Sequence, residues 1–287
     1  MNAEQRLNRY KRIAIAAIGL SAIAGIVLFC FCSTPDSKYF ASSPLAVIAR
    51  IFIILALAAA ASAFFVLKGA GNVDFSRCAR PKYLYCVNCL AAAYVFVTVG
   101  KQLISSQFEP VWLIIAVATA FSLIYFTSGY VETNKALTLV SGYFHIAFCI
   151  AVIAKLYFDQ EVELNAPVKL FIQFTAALSM LSALNSLRAL IGKCSIRLYA
   201  GTKTALLSLS ALSSIASLYV AITSRHSYSS DYWVFTAYFF ACAILESVEY
   251  FSVQAVAADE SEAVAEAVEK ADGANEPSEQ GAEQPNG

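Results

Sequence analysis

Two carboxylates stand in an apolar stretch near the C-terminal end of the chain. Glu246 and Glu249 belong to the segment AILESVEY, which continues the apolar run that begins at Trp233. Positions i and i+3 lie on one face of a helix, so the two side chains would point the same way. Because a charge at the centre of a bilayer costs roughly 2.5–3.5 kcal/mol on insertion scales, Glu246 needs polar partners, whereas Glu249 lies close enough to the interface to need none.

Other polar side chains fall at comparable depths. At about 1.5 Å per helical residue, Glu246 and Glu249 lie roughly 21 Å and 25 Å from the outer end of their span. Asn185 and Arg188 reach similar depths in an earlier span, and His145 lies near the middle of another. These five residues form the predicted polar site.

The predicted site has two interpretations. It is either a cavity, open to the cytoplasm, that binds a small solute or relays a proton, or an interhelical tie between Glu246 and Arg188. His145 is likewise open to two roles: a core histidine bonded to a backbone carbonyl or a tyrosine, or a proton relay.

The composition of the chain indicates a membrane protein that is all α-helical. The 287 residues are 59% hydrophobic and 14% charged, whereas soluble domains carry about 25% charged residues. The apolar residues form runs of about 20, the length that a membrane-spanning helix needs. We predict a polytopic bundle of about eight spans: 13–32, 45–67, 84–104, 111–130, 136–158, 168–191, 204–223 and 232–256.

Charge distribution predicts the organisation and orientation of the chain. Lys and Arg are concentrated in residues 1–12 and in alternate loops. The positive-inside rule therefore predicts a plasma-membrane protein with both termini in the cytoplasm. We divide the chain into a basic N-terminus (1–12), a bundle (13–256) and an acidic tail (257–287), helical at first and then disordered. Nine of the 20 acidic residues lie from Asp259 onward.

The same charges bear on partners. The lipid bilayer is the first expected partner, and the acidic tail could dock another membrane protein or a basic partner. The basic balance of the rest of the chain is ordinary for a protein that follows the positive-inside rule, so we expect no nucleic-acid binding. We therefore hold two hypotheses about function. The protein is transporter-like and has a polar cavity, or it is a non-catalytic subunit or scaffold that recruits a partner through its tail.

No motif in the chain indicates enzymatic chemistry. A nucleophile elbow, a zinc-protease helix and a glycine-rich phosphate loop are all missing from the sequence. Cys86 and Cys89 have the CxxC spacing of a redox or zinc pair, but no second such pair follows and no histidine is near in sequence. We therefore expect no metal and no cofactor.

One segment resembles part of a group of uncharacterised multi-pass membrane proteins of Gram-positive bacteria. The shared pattern consists of ELNAPVK at 163–169, Gln173, and SALNSLRALIG at 182–192. In those relatives an acidic residue often precedes the arginine by two positions, whereas Ser186 stands there in this chain. The resemblance implies a membrane location and no particular activity. The difference leaves Arg188 free to meet Glu246.

Overall fold

A computed structural model describes residues 3–32, 42–74, 85–104, 109–128, 135–159, 166–223 and 230–256. Within these ranges the chain is almost entirely helical. The helices are α1 (Ala3–Ile26), α2 (Pro44–Ala61), α3 (Ala63–Val66), α4 (Tyr85–Ile104), α5 (Val111–Ser128), α6 (Lys135–Phe158), α7 (Pro167–Leu190), α8 (Ile196–Thr223) and α9 (Ser230–Ser252). A π-helical turn, Val27–Phe31, continues α1, and two short strands, β1 (Asn72–Asp74) and β2 (Gln254–Val256), complete the described structure.

The protein is an integral, multi-pass membrane protein with an α-helical bundle. Six helical stretches in the described ranges are long and apolar enough to cross a membrane: Ala3–Phe31, Pro44–Val66, Tyr85–Ile104, Ala136–Phe158, Pro167–Leu190 and Tyr232–Ser252. Helix α5 is apolar but shorter, and α8 is not among the six. Large apolar side chains such as Phe65, Leu90 and Ile104 are exposed, as lipid contact requires. The predicted count of eight spans remains a prediction.

Helix ends in the bundle follow local chemistry. Pro44 begins α2, and the Ser43 hydroxyl accepts a hydrogen bond from the Ala46 amide at 3.2 Å, which is a standard N-cap. Helix α7 ends at Leu190, and Gly192, two residues later, has a φ of 72°, a conformation that glycine adopts readily. The resulting turn is short, so α7 and α8 lie side by side and antiparallel.

Helix α8 lies at the centre of the bundle. It packs against α1, α2, α7 and α9, while α4, α5 and α6 continue the bundle from α9 around to α7. Two glycines permit close approach. A Cβ atom at Gly201 would lie 3.2 Å from the Ala60 carbonyl oxygen of α2, and one at Gly142 would lie 2.6 Å from a methyl group of Leu187.

A small two-stranded sheet closes one end of the bundle. We call this end the sheet face. Strands β1 and β2 are antiparallel, with Asn72 opposite Val256. The Lys11 ammonium donates to the carbonyl oxygens of Phe251 and Val253, at 2.9 and 2.8 Å, and so ties α1 to the end of α9. The opposite end, where α6 ends and α9 begins, is the far face.

The structure gives the helix boundaries at the sheet face. Helix α1 begins at Ala3, and Leu7 and Tyr10 are buried in the bundle. The last predicted span reached Val256, but α9 ends at Ser252 and residues 254–256 form β2. The acidic segment 257–287 lies outside the described residues, and it follows a strand where the sequence suggested a continuing helix.

Candidate functional site: a buried ion cluster

The two glutamates lie around Lys203, which the predicted spans leave in a loop. The Lys203 Nζ atom is 3.3 Å from Glu246 Oε2 and 3.1 Å from Glu249 Oε1. The three side chains are 1%, 2% and 5% exposed, respectively. We call Lys203, Glu246 and Glu249 the ion cluster. It joins α8 to α9 in the interior of the bundle.

Hydroxyl groups from α7 and α8 hold the carboxylates. Ser182 donates to Glu246 Oε2 at 2.7 Å, and Ser186 donates to Glu249 Oε1 at 3.1 Å. The Tyr199 hydroxyl also donates to Glu249 Oε1, at 2.7 Å. The second oxygen of Glu246, Oε1, is buried and has no hydrogen-bond partner among the described residues.

Helical periodicity explains this arrangement. Ser182 and Ser186 are four residues apart on α7, as are Tyr199 and Lys203 on α8, so each pair presents one face to α9. The Lys203 ammonium also lies 5.3 Å from the centre of the Tyr199 ring, where a cation–π attraction adds to the ion pairs.

The structure does not bring Arg188 to the carboxylates. Its side chain is exposed, and the cation beside Glu246 is Lys203. Arg188 follows Ser186 by two positions, and two residues turn a helix by about 200°, so it points away from the face that holds Ser186. The predicted Glu246–Arg188 tie is therefore not formed.

Lys203 was missed because α8 starts earlier than predicted. Hydropathy placed the span at 204–223, whereas the helix begins at Ile196. Arg197 and Lys203 lower the local hydropathy, although the backbone there is helical. The spacing of Tyr199 and Lys203 at i and i+4, with Gly201 between them, was the available signal for a helix packed closely against a neighbour.

Asn185 is near the ion cluster but not part of it. Its side-chain nitrogen donates to the Thr202 hydroxyl at 3.1 Å, and its side chain is buried. This contact links α7 to α8 beside the ion cluster. Asn185 therefore supports the position of α8 and makes no contact with the glutamates among its described hydrogen bonds.

His145 belongs to a second polar group, deeper in the bundle. Its Nδ1 atom is 2.8 Å from the Ser122 hydroxyl, and its Nε2 atom is 3.0 Å from the Ser179 hydroxyl. Ser122 is in turn 2.6 Å from the Tyr238 hydroxyl. Four helices (α5, α6, α7 and α9) thus contribute to a fully buried group. The histidine is hydrogen-bonded to two serines. The interpretation as a core histidine predicted a backbone carbonyl or a tyrosine as its partner.

The ion cluster is covered on the side of the sheet face. Tyr199, Tyr250 and Val253 are buried in an apolar cluster with Leu7 and Tyr10 of α1. This layer lies between Glu249 and the β1–β2 sheet. The sequence predicted a site open to the cytoplasm, whereas in this structure the carboxylates are enclosed.

The cysteines of the CxxC pair and Cys194 differ in exposure. Cys86 and Cys89 are exposed, whereas Cys194 is buried beside the sheet. Across the described ranges, no three His, Cys, Asp or Glu side chains are placed to hold a metal ion.

Comparison of the chain with known protein families, with curated proteins and with solved structures finds no match. The resemblance of residues 163–192 to membrane proteins of Gram-positive bacteria therefore stays a prediction. The geometry of the ion cluster and of the polar group around His145 is what bears on function.

Proposed function

We propose that this protein is transporter-like and that it binds and releases a proton at Glu246. The observation that carries the proposal is an imbalance: two buried carboxylates share one ammonium group, and one oxygen of Glu246 has no partner among the described residues. Such an arrangement has room for one more positive charge, and a proton is the smallest.

The charge of the cluster supports this proposal. If all three groups are ionised, the cluster carries one negative charge in surroundings where an unbalanced charge is costly. A single added proton makes it neutral. A purely structural tie would need one carboxylate only, and polar contacts between membrane helices average just ~0.6 kcal/mol.

The hydrogen bonds indicate which carboxylate takes the proton. Glu249 Oε1 accepts from Ser186 and Tyr199 and lies beside Lys203, whereas Glu246 has Ser182 and Lys203 on Oε2 and nothing on Oε1. Hydrogen bonds to a carboxylate stabilise its charged form. Glu249 therefore keeps its charge, and Glu246 is the group that exchanges a proton.

Orientation is part of the proposal. The sheet face carries exposed basic side chains at Arg9, Arg12, Lys68 and Lys193. By the positive-inside rule this end lies in the cytoplasm of a cell whose plasma membrane holds the protein. The proton site is then about one to two helical turns from the cytoplasmic ends of α7 and α9, behind the apolar layer of the sheet face.

Infrared difference spectroscopy of the protein in lipid nanodiscs tests the proton site. Titration across the acidic range should show a protonated carboxyl band from a buried, non-aqueous environment. The Glu246→Gln variant should lose this band, and Glu249→Gln should retain it. Glu109→Gln is the matched control, because Glu109 is half exposed and pairs with Lys155 at the far face. A band that survives in Glu246→Gln would refute the assignment.

A second candidate function is a non-catalytic subunit or scaffold that recruits a partner through residues 257–287. The observation that favours it is the concentration of acidic residues from Asp259 onward, where Lys270 is the single base. Native mass spectrometry of protein extracted from its own membrane would compare the full chain with a 259–287 deletion. A partner that is present with the full chain and lost with the deletion would support the scaffold role.

A further inference from the structure

Buried polar residues form continuous stripes along two neighbouring helices. On α7, Thr175, Ser179, Ser182 and Ser186 are spaced i, i+4, i+7 and i+11, and all four are buried. Eleven residues cover about 16 Å of helix, roughly half of a ~30 Å hydrocarbon core. An α-helix needs no such stripe in order to pack, since apolar residues of the same size would serve.

The facing stripe on α9 consists of Tyr238, Cys242, Glu246 and Glu249, spaced i, i+4, i+8 and i+11. All four are buried. Tyr238 lies at the deep end of this stripe, beside the group around His145, and the glutamates lie at the end near the sheet face. The two stripes therefore join the His145 group to the ion cluster.

The two stripes, together with Ser122 and His145, form what we call the polar file. Hydrogen bonds connect its deep end. The Tyr238 hydroxyl is 2.6 Å from Ser122, which is 2.8 Å from His145 Nδ1, and His145 Nε2 is 3.0 Å from Ser179. The imidazole ring is thus the link between two hydroxyl groups on opposite sides, and no backbone group occupies either nitrogen among its described hydrogen bonds.

The file continues from Ser179 to Glu246. Ser182 lies one turn further along α7 and donates to Glu246 at 2.7 Å. Positions i and i+3 have Cβ atoms about 5–6 Å apart, which is a separation that a single bridging water can span. The Cys149 thiol lies 3.7 Å from His145 Nε2.

We propose that this file conducts protons between the middle of the membrane and Glu246, and that His145 relays them. The proposal rests on the proposed function, because it supplies the route to the proton site inferred above. It also accounts for the closed sheet face, which leaves the file as the polar route to Glu246 among the described residues.

Each transfer leaves the histidine neutral. The Ser122 hydroxyl gives its proton to His145 Nδ1 while the proton on Nε2 passes to the Ser179 oxygen. The hydroxyl proton of Ser179 moves through the bridging water and Ser182 to the Glu246 carboxylate. Tyr238 reprotonates Ser122, and a hydronium ion at the deep end restores the tyrosine proton. The ring then rotates or exchanges its tautomer before the next transfer.

Other charged and titratable groups face this file. From α8 come Lys203 and Tyr199, and from α9 comes Glu249, while Cys149 and Cys242 flank the middle. Arg188 of α7 is exposed and directed elsewhere. Lys203 stays on the Glu246 side of the file and opposes a positive charge on the ring, which favours relay by a neutral histidine.

Time-resolved infrared spectroscopy after a light-triggered pH jump tests the relay. The experiment uses the full chain in nanodiscs and follows the Glu246 carboxyl band, with protons as the probe. Two variants interrupt the file: His145→Gln keeps polar contacts but cannot exchange tautomers, and Ser179→Ala removes the acceptor at Nε2. Ser141→Ala is the matched control, since Ser141 is a buried serine of α6 bonded to its own helix.

The amplitude and the rate of the band answer different questions. We expect both file variants to keep the amplitude and to slow the rate by at least about tenfold, which is ~1.4 kcal/mol of added barrier. Ser141→Ala should match the parent protein. Unchanged rates in both file variants would overturn the relay and leave the proton site intact. Absence of the band in the parent protein would overturn both.

Discussion

Replacing Lys203 with methionine removes the positive charge that lies between Glu246 and Glu249. Methionine keeps most of the volume of the side chain and has no donor. The change therefore tests whether the ammonium group holds the two carboxylates in the bundle. Arg188→Met is the matched control, because Arg188 is also a basic residue at this end of the bundle but is exposed.

The contacts set the size of the effect. At an effective dielectric constant of about 20, each ion pair at 3.1–3.3 Å contributes about 5 kcal/mol. Repulsion between carboxylates about 5–6 Å apart returns about 3 kcal/mol, and desolvation of the ammonium removes several more. Loss of one partner of a buried pair costs about 3–5 kcal/mol in general, and we expect Lys203→Met to fall in this range.

The assay is equilibrium unfolding of the reconstituted protein, for example by SDS titration in bicelles. Arg188→Met should change the free energy of unfolding by no more than about 0.5 kcal/mol, as exposed substitutions do. Adding Glu249→Gln to Lys203→Met should recover part of the loss, because it removes a buried negative charge that has lost its neighbouring ammonium group. If Arg188→Met were as destabilising as Lys203→Met, the assignment of Lys203 as the partner of the carboxylates would be wrong.

Three further predictions concern the surroundings of the cluster. Ser186→Ala should cost about 1.5–3 kcal/mol of unfolding free energy, because it removes a hydrogen bond to a charged group. Gly142→Ala should cost about 1–3 kcal/mol, since the new methyl group would meet Leu187 within 3 Å. Lys11→Met should loosen the sheet face and speed maleimide labelling of Cys194, whose pKa burial raises to about 11. Exposure would return that pKa toward 9.0 and raise the thiolate fraction by up to about a hundredfold.

Each of these predictions has its own control. Ser247→Ala removes a hydroxyl bonded to its own helix and should leave stability nearly unchanged. Gly19→Ala places a methyl group where no atom lies within 4 Å, and should stabilise the helix slightly. Arg12→Met removes an exposed charge next to Lys11 and should not alter labelling, which is followed in a background with Cys30, Cys78, Cys86 and Cys89 changed to serine. Equal rates of Cys194 labelling in the parent protein, Lys11→Met and Arg12→Met would contradict the role of Lys11.

Apolar runs located most of the helices from the sequence. The predicted spans 84–104, 136–158 and 168–191 agree with α4, α6 and α7 to within one residue at each end. Hydropathy succeeds there because each helix needs about 20 apolar residues and has charges only near its ends. Hydropathy failed at the start of α8, where polar residues are helical. It also failed at the end of α9, where apolar residues form a strand.

Sequence alone determined that the chain is a helical membrane protein and that Glu246 and Glu249 share a helical face, with Glu246 deep enough to need polar partners. The reason is that hydrophobicity and helical periodicity act along the chain and can be read from it. Only the tertiary structure decided which partners they have. Arg188 and Lys203 are both cationic and both lie within a few residues of the end of a predicted span. The packing of α8 against α2, α7 and α9 turns Lys203 inward and leaves Arg188 outside.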